Sequence, residues 1–282
     1  EYRETDYYLM DGYNDNNYPD VTPERDGKRL IVQPNTFNMY CHREPRFYLT
    51  VVWNGQWFKW ENRNTNFLYG GPDGGPTHDA PQNGYLNRSR VSLDYIPRDN
   101  NHPYRPAIIF RMAEAYLSYA EALNECSERM SYEQEILNNL NKIRHRAGIA
   151  EYGTGTDENG FTRIKINFAD QKEVRRLIHK ERRVEFVGEG IRYHDLRRWK
   201  TAHYGIGNMN EQGENPDWGV NGPDHGMNYY GTEYTDQGDN AFFKRTKYMD
   251  RVYPRKFYWY PIHQSEIDKD PTLVQGPFWL GE

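Results

Sequence analysis

The sequence predicts a mainly α-helical fold with loop-rich stretches and small β elements. Three observations predict it. Two adjoining segments between residues 105 and 150 carry apolar residues at helical spacing, and a third follows at 170–187. On either side the chain is punctuated by Pro, Gly, Asn and Asp, as in DGYNDNNYPD and YGGPDGGPTHDAP, and such clusters mark turns. One stretch only, Arg46 to Trp60, has the β-branched and aromatic content of strands.

Taken in order, residues 1–104 read as loops around a β-hairpin. Its arms are Phe47–Trp53 and Gln56–Trp60, joined by Asn54-Gly55, a preferred two-residue turn. Alternation puts Trp57 and Lys59 on one side of the second arm and Gln56, Phe58 and Trp60 on the other, so one of the two tryptophans belongs to the core. Residues 105–202 read as a helical core. After Pro106, tolerated in a first helical turn, Ile109, Met112, Ala113, Tyr116, Ala120 and Leu123 share a face. Ser131 with Gln134 has the pattern of a capping box. The helix it opens places Ile136, Leu140, Ile143 and Ala147 together and stops at Gly148. The pair makes an antiparallel hairpin of one tetratricopeptide length, with no second copy in register. Glu151–Thr162 reads as a surface loop. Asp170, with Glu173 three residues on, opens a third helix whose apolar face is Val174, Leu177, Ile178, Val184 and Val187. Gly188 and Gly190 break it, and a short amphipathic segment, Tyr193–Lys200, resumes. Residues 203–282 read as aromatic-bearing loops and a docked tail containing FYWYPI and QGPFW.

Composition narrows the function. The 282 residues carry a net charge of -5, with 15% aromatics including 24 Tyr and 7 Trp. Mean hydropathy is -1.06. Disordered chains are polar but poor in aromatics. Polar and ring-rich together describe a folded protein that grips something with ring faces and hydroxyls. The acidic balance argues against a nucleic-acid binder. Cys41 and Cys126 are too few for a disulfide scaffold or a cysteine zinc site and read as unpaired thiols. No HExxH, nucleophile elbow or phosphate loop is present, and PDGGP (Pro72–Pro76) lacks the Lys-Ser/Thr and helix that a phosphate loop needs. No organic cofactor is expected. A calcium ion held by the acidic loops Asp11–Asp20 or Asp236–Asn240 is the one inorganic ligand considered.

Five segments then resemble one family. FRMAEAYLSYAEALNE (Phe110–Glu125), LNKIRHRAGI (Leu140–Ile149), KERRVEFVGEGIRYHDLRRWK (Lys180–Lys200), YWYPIHQSEIDKDPTLVQGPFW (Tyr258–Trp279) and EPRFYLTVVWNG (Glu44–Gly55) are similar to signature stretches of the SusD/RagB family, in the same order. His263 stands where the family often has Pro, and QGPFW replaces QNPGW. The resemblance implies a SusD-like fold with tetratricopeptide-type helix pairs. Family members are usually much longer, and their first half carries a lipid-modified cysteine, so this chain is expected to be a C-terminal part without that half and its anchor. It further implies a non-catalytic surface lipoprotein of the Bacteroidota outer membrane. Such proteins hold a glycan, or in some members a peptide, for a TonB-dependent, SusC-like transporter. Contact with the membrane is expected only through the anchor.

Within Lys180–Lys200, the charged residues Glu181, Arg182, Arg183, Glu185, Arg192, Asp195 and Arg197 read either as a catalytic or anion-binding cluster or as a structural ion-pair network. The structural reading is preferred, because planar guanidinium forks satisfy carboxylates and helical charge ladders usually brace a fold. Sugar sites combine aromatic platforms with amide, carboxylate and guanidinium partners. Two loop regions have that mix. One holds Trp57, Trp60, Asn62, Arg63 and Tyr69; the other holds Trp218, Asn221, Tyr229 and Tyr230. A glycoside hydrolase would need two carboxylates at set separation, which abundance alone does not establish. A helical-repeat adaptor would carry its contacts on helix faces, whereas here the rings lie in loops.

Overall fold

The computed structural model describes residues 36–41, 43–58, 61, 63–89, 91, 95, 99–104, 107–205 and 219–279. The chain forms two compact units: Glu1–Gly188 with His225–Tyr248, and Glu189–Asp224 with Met249–Glu282. This grouping differs from the linear division at residues 104 and 202.

In the first unit, Pro45–Thr50 is a short helix, α1, and Val51–Trp53 (β1) follows it directly. Trp57–Phe58 (β2), Arg63–Asn64 (β3) and Tyr85–Asn87 (β4) complete two small antiparallel pairs. β1 pairs with β4 in the register Val51↔Asn87 to Trp53↔Tyr85, and β2 pairs with β3 through Trp57↔Asn64 and Phe58↔Arg63. The expected hairpin therefore does not form, although the chain does turn at Asn54-Gly55. Pro45 sits in the first turn of α1 and fixes its φ there. The Thr50 hydroxyl donates back to the Arg46 carbonyl at 2.7 Å. Asn54 is buried and accepts from the Phe67 N–H at 2.6 Å, which sends the second arm toward β3 instead of back along β1.

The first unit has an aromatic core and a helical core. Around Trp53, 1% exposed, pack Phe37, Tyr40, Tyr48, Phe67, Phe242 and Phe243. Phe37 and Phe243 stack with centroids 3.7 Å apart. Phe242-Phe243 thus draws the loop-like 225–248 segment onto the N-terminal part of the unit, and each buried ring contributes about 1.5–3 kcal/mol. Cys41, buried, with its thiol toward the Thr36 and Phe37 carbonyls, and Cys126, half-buried, belong to this unit.

The helical core comprises Met112–Glu125 (α2), Glu133–Arg146 (α3) and Gln171–Glu185 (α4), with α2 against both others. In α3 the expected face is the buried one: Ile136, Leu140, Ile143 and Ala147. In α2 the expected face is buried at Ala113, Ala120 and Leu123 and half-buried at Tyr116, and Leu117 beside it is fully buried, while Met112 is 57% exposed and Ile109, outside the helix, is 97% exposed. The capping box at Ser131 is also absent. A 3-10 turn, Arg129–Tyr132, leads into α3 without a side-chain cap, and Gln134 donates instead to Asn138. Gly148 has φ +67°, the left-handed conformation that ends α3. α4 begins as expected, the Asp170 carboxylate accepting from the backbone N–H groups of Lys172 and Glu173. Val174 and Ile178 are fully buried, but Val187 is exposed. The 151–162 segment is organised rather than open: buried Asp157 accepts from the N–H groups of Glu151, Asn159 and Phe161.

The second unit contains Ile191–Arg198 (α5) and Gln264–Lys269 (α6). The chain passes between units inside Gly222–Gly226 (β5) and Thr246–Arg251 (β6). Leu196, Ala202 and Tyr253 form its small core. Its tail is fastened internally. Gln275 both donates to and accepts from the Ile262 backbone, and Trp279 Nε1 donates to the Lys256 and Trp259 carbonyls. Among the described residues no helix is long and apolar enough to cross a membrane.

Candidate functional site

Three tyrosines from the two predicted loop regions meet in the first unit. Ring centroids lie 5.5 Å apart for Tyr69 and Tyr230, 6.1 Å for Tyr69 and Tyr229, and 5.1 Å for Tyr229 and Tyr230. Tyr230 is 68% exposed, whereas Tyr69 and Tyr229 are half-buried. The result is a partly open surface of ring faces and phenolic hydroxyls.

Each tyrosine is held by a hydrogen bond of its own. The Tyr69 N–H donates to the Gly231 carbonyl at 2.8 Å, tying the loops together. The Tyr229 hydroxyl donates to the Thr77 carbonyl at 3.2 Å, across 152 residues of chain. Buried Asn228 accepts from the Tyr230 N–H and donates to the Asp239 and Ala241 carbonyls, which holds the start of the second loop.

The first loop is braced from β3. Arg63 grips Asp73 through two nitrogens, at 2.6 and 2.8 Å, and the same carboxylate accepts from the Asn66 N–H at 2.8 Å. Burial pushes the Asp73 carboxyl up, but these bonds and the Arg63 charge outweigh it and hold it below the usual range. Gly75 lies directly under the rings. A Cβ there would come within 2.7 Å of Tyr229 and 2.9 Å of Tyr69. The glycine-rich loop that lacks phosphate-binding features thus lets a backbone approach two aromatic rings. Gly75 and Asp73 were not foreseen, and the only signal for them was the glycine density itself.

Trp57 is half-buried on β2, opposite Asn64. Trp60, Asn62 and Trp218 lie outside the described residues. Asn221 belongs to the second unit, where it donates to the His203 and Tyr253 carbonyls and accepts from the Tyr253 N–H. Those internal bonds use both its amide hydrogens.

The charged block divides between the units. In the first, Glu181 and Glu185 are buried hubs. Arg46 reaches Glu181 at 2.7 Å and Glu185 at 3.0 Å, and also binds Glu44. Arg144 takes the second Glu181 oxygen at 2.9 Å, while Arg111 and Arg146 both bind Glu185. Arg182 is buried, 3.8 Å from Glu121, and donates to the Ser118 hydroxyl at 3.0 Å. Arg183 is on the exposed side of α4. In the second unit, Asp195 pairs with Arg198 at 2.9 Å. Arg192 lies over the Trp199 ring, and Arg197 lies against Tyr193 and Tyr260 and donates to the Tyr258 carbonyl. The block thus supplies the acids of a carboxylate-centred clamp in one unit and an arginine–aromatic arrangement in the other.

Of the acidic loops considered for calcium, Asp11–Asp20 lies outside the described residues. In the other, Asp239 takes the Lys244 ammonium at 2.8 Å. Among the described residues no group of three or more His, Cys, Asp or Glu side chains is arranged to hold a metal.

Comparison with known proteins places the fold. The sequence profile of the SusD family matches residues 5–279. The chain belongs to the SusD family. A SusD-like protein of Formosa agariphila, P25, is 35% identical over 109 residues, which are 39% of this chain and 18% of that protein. The crystal structure of a SusD-like protein from Bacteroides fragilis superposes with a TM-score of 0.59 at 27% identity, covering 87% of this chain and 40% of that one. A SusD-like carbohydrate-binding protein from the same species shares the fold with a TM-score of 0.54 at 24% identity, over 84% of this chain and 42% of that one. The chain therefore spans well under half the length of these relatives. The SusD signature has a physical meaning here. Arg46, Arg111, Arg144, Arg146, Glu181 and Glu185 come from four of the five stretches that carry the resemblance, and they meet in the clamp.

Proposed function

We propose that the chain binds a glycan without catalysis, through the Tyr69–Tyr229–Tyr230 platform, as part of a SusD-type surface protein that presents the sugar to an outer-membrane transporter. The convergence of three rings from distant loops onto one open surface carries this reading. Sugar rings offer flat C–H faces to aromatic faces, and their hydroxyls suit phenolic oxygens. The backbone bonds that fix the loops before any ligand arrives favour binding, because less freedom is lost on association. Membership of the SusD family, and the name of the carbohydrate-binding relative, agree with it. Lipid anchoring and display at the cell surface belong to the same proposal. A glycan array probed with the chain, followed by titration of its hits, tests it. Tyr230→Ala is expected to weaken the best hit about tenfold, or ~1.4 kcal/mol. A blank array, hits indifferent to Tyr230→Ala, or release of shortened sugars would contradict it.

A further inference from the structure

The platform rings differ from several other rings of this protein in what lies over them. Lys142 lies over Tyr116 at 4.3 Å and Arg144 over Tyr152 at 4.1 Å. Arg197 lies against Tyr193 and Tyr260 at 5.3 and 5.1 Å, and Lys256 over Trp279 at 5.1 Å. Among the described residues no Lys or Arg lies over Tyr69, Tyr229 or Tyr230, whose ring partners are one another. Their faces carry no positive charge.

The loops that present these rings supply no cation either. Residues 66–80 and 227–241 contain the acids Asp73, Asp79, Glu233, Asp236 and Asp239 and no Lys or Arg. Two of the acids are paired from outside these segments: Arg63 holds Asp73 at 2.6 and 2.8 Å, and Lys244 holds Asp239 at 2.8 Å. The other three have no such partner. Asp79 has the His78 ring at 3.4 Å, an imidazole rather than a permanent cation. Glu233 accepts from the neutral Asn240 amide at 3.5 Å, and neither it nor Asp236 meets a Lys or Arg among the described residues. Two of these acids are tied closely to the rings. Asp79 stands two residues after Thr77, whose carbonyl holds the Tyr229 hydroxyl, and Glu233 stands two residues after Gly231, whose carbonyl holds the Tyr69 N–H. Successive Cα atoms are about 3.8 Å apart, so each acid's Cα lies within about 8 Å of a residue that touches the platform.

We propose that the glycan taken by the tyrosine platform carries no carboxylate or sulfate group, and that the acids of the two loops select against anionic sugars. The selectivity rests on the reading of the platform as the sugar site. Bare ring faces suit the C–H faces of a neutral sugar. Recognition of a carboxylate or sulfate calls for guanidinium or ammonium partners, and the two loops offer none. Like charges set beside a binding surface suppress the wrong partner at little cost to the right one.

An array carrying laminarin, cellohexaose, galactomannan and N-acetylchitohexaose beside alginate, polygalacturonate, chondroitin sulfate and κ-carrageenan tests it. Binding that Tyr230→Ala weakens is expected in the neutral group. An acidic glycan bound as tightly, and weakened by the same variant, overturns the selectivity while leaving the sugar site in place. A blank across both groups contradicts the sugar site itself, and the selectivity with it. The strongest of the neutral set is then oxidised at its primary hydroxyls to the uronate form, and both forms are titrated into the chain. Two like charges about 9 Å apart in water weaken an affinity about twofold. Asp79 and Glu233 together should make the uronate form about fourfold weaker in roughly 0.02 M salt, and the two forms should converge in roughly 0.5 M salt. Asp79→Asn/Glu233→Gln is expected to narrow the gap and leave the affinity of the neutral form unchanged, with circular dichroism verifying the fold. Equal affinity of the two forms at low salt, a gap that salt does not change, or one that the double variant leaves intact overturns the proposal.

Discussion

Glu185→Gln keeps the shape of a buried side chain and removes the charge on which three guanidiniums converge. The Glu185 side chain is 2% exposed, and it holds Arg111, Arg146 and Arg46, the last at 3.0 Å. Breaking a buried ion pair by removing one partner costs about 3–5 kcal/mol, because the other charge is left uncompensated. Two features place this case at the lower end. Arg146 is 57% exposed and regains water, and Arg46 keeps Glu44 and Glu181. The expected loss is ~3 kcal/mol at pH 7, or a melting temperature lower by roughly 6–12 °C for a chain of this size. Urea and thermal unfolding followed by circular dichroism measure it. The pH dependence has a definite sign. Burial pushes the Glu185 carboxyl up, but Arg111, Arg146 and Arg46 outweigh it, so its folded pKa lies below the ordinary 4.5. A depressed carboxyl stabilises the fold above its unfolded pKa, and that contribution vanishes as pH falls through the folded value. Wild type and Glu185→Gln should therefore differ fully at pH 7 and converge in acid below pH 4.5. A loss under ~1 kcal/mol at pH 7, or a gap that persists unchanged into strong acid, would refute the clamp as a main support of the helical core.

Three further outcomes follow from the packing. Gly75→Ala should weaken glycan binding by displacing Tyr229 and Tyr69, while the melting temperature stays within ~2 °C because the new methyl group in this buried position meets the outer end of the Tyr229 ring, which can shift; unchanged affinity would separate Gly75 from the platform. Trp53→Ala should cost about 3–5 kcal/mol in urea unfolding, whereas Ile109→Ser, despite its place in the expected apolar face of α2, should stay within about 0.5 kcal/mol.

Legibility followed the strength of the local signals. α3 and α4 were readable because a long apolar period coincides with end signals, Gly148 after one and Asp170 before the other. α1 was not. RFYLTVVW has strand composition, but Pro45 and the pull of Glu181 and Glu185 on Arg46 make its first part a helix, a tertiary override of propensity. The aromatic core's debt to Phe242-Phe243 was hidden because two adjacent rings in a Gly- and Asp-rich segment have no period to detect. Composition pointed to the loops bearing Tyr69, Tyr229 and Tyr230 but could not bring them together. That pairing rests on backbone bonds such as Tyr69 to Gly231. Asn221 shows the opposite limit: an amide in an aromatic loop looks like a ligand group until its own backbone partners are known. The acids of the clamp were visible in the block from Lys180 to Lys200, whereas their arginine partners were distributed over three other stretches.

The central claim is that the three tyrosine rings form the surface on which a sugar lies. Ring-labelled tyrosine NMR of the chain, titrated with the strongest glycan-array hit, reads that surface directly. The account predicts that the ring signals of Tyr69, Tyr229 and Tyr230 shift together with one affinity, and that the buried Tyr40 and Tyr48 stay in place. Saturation with those three signals unmoved would contradict it.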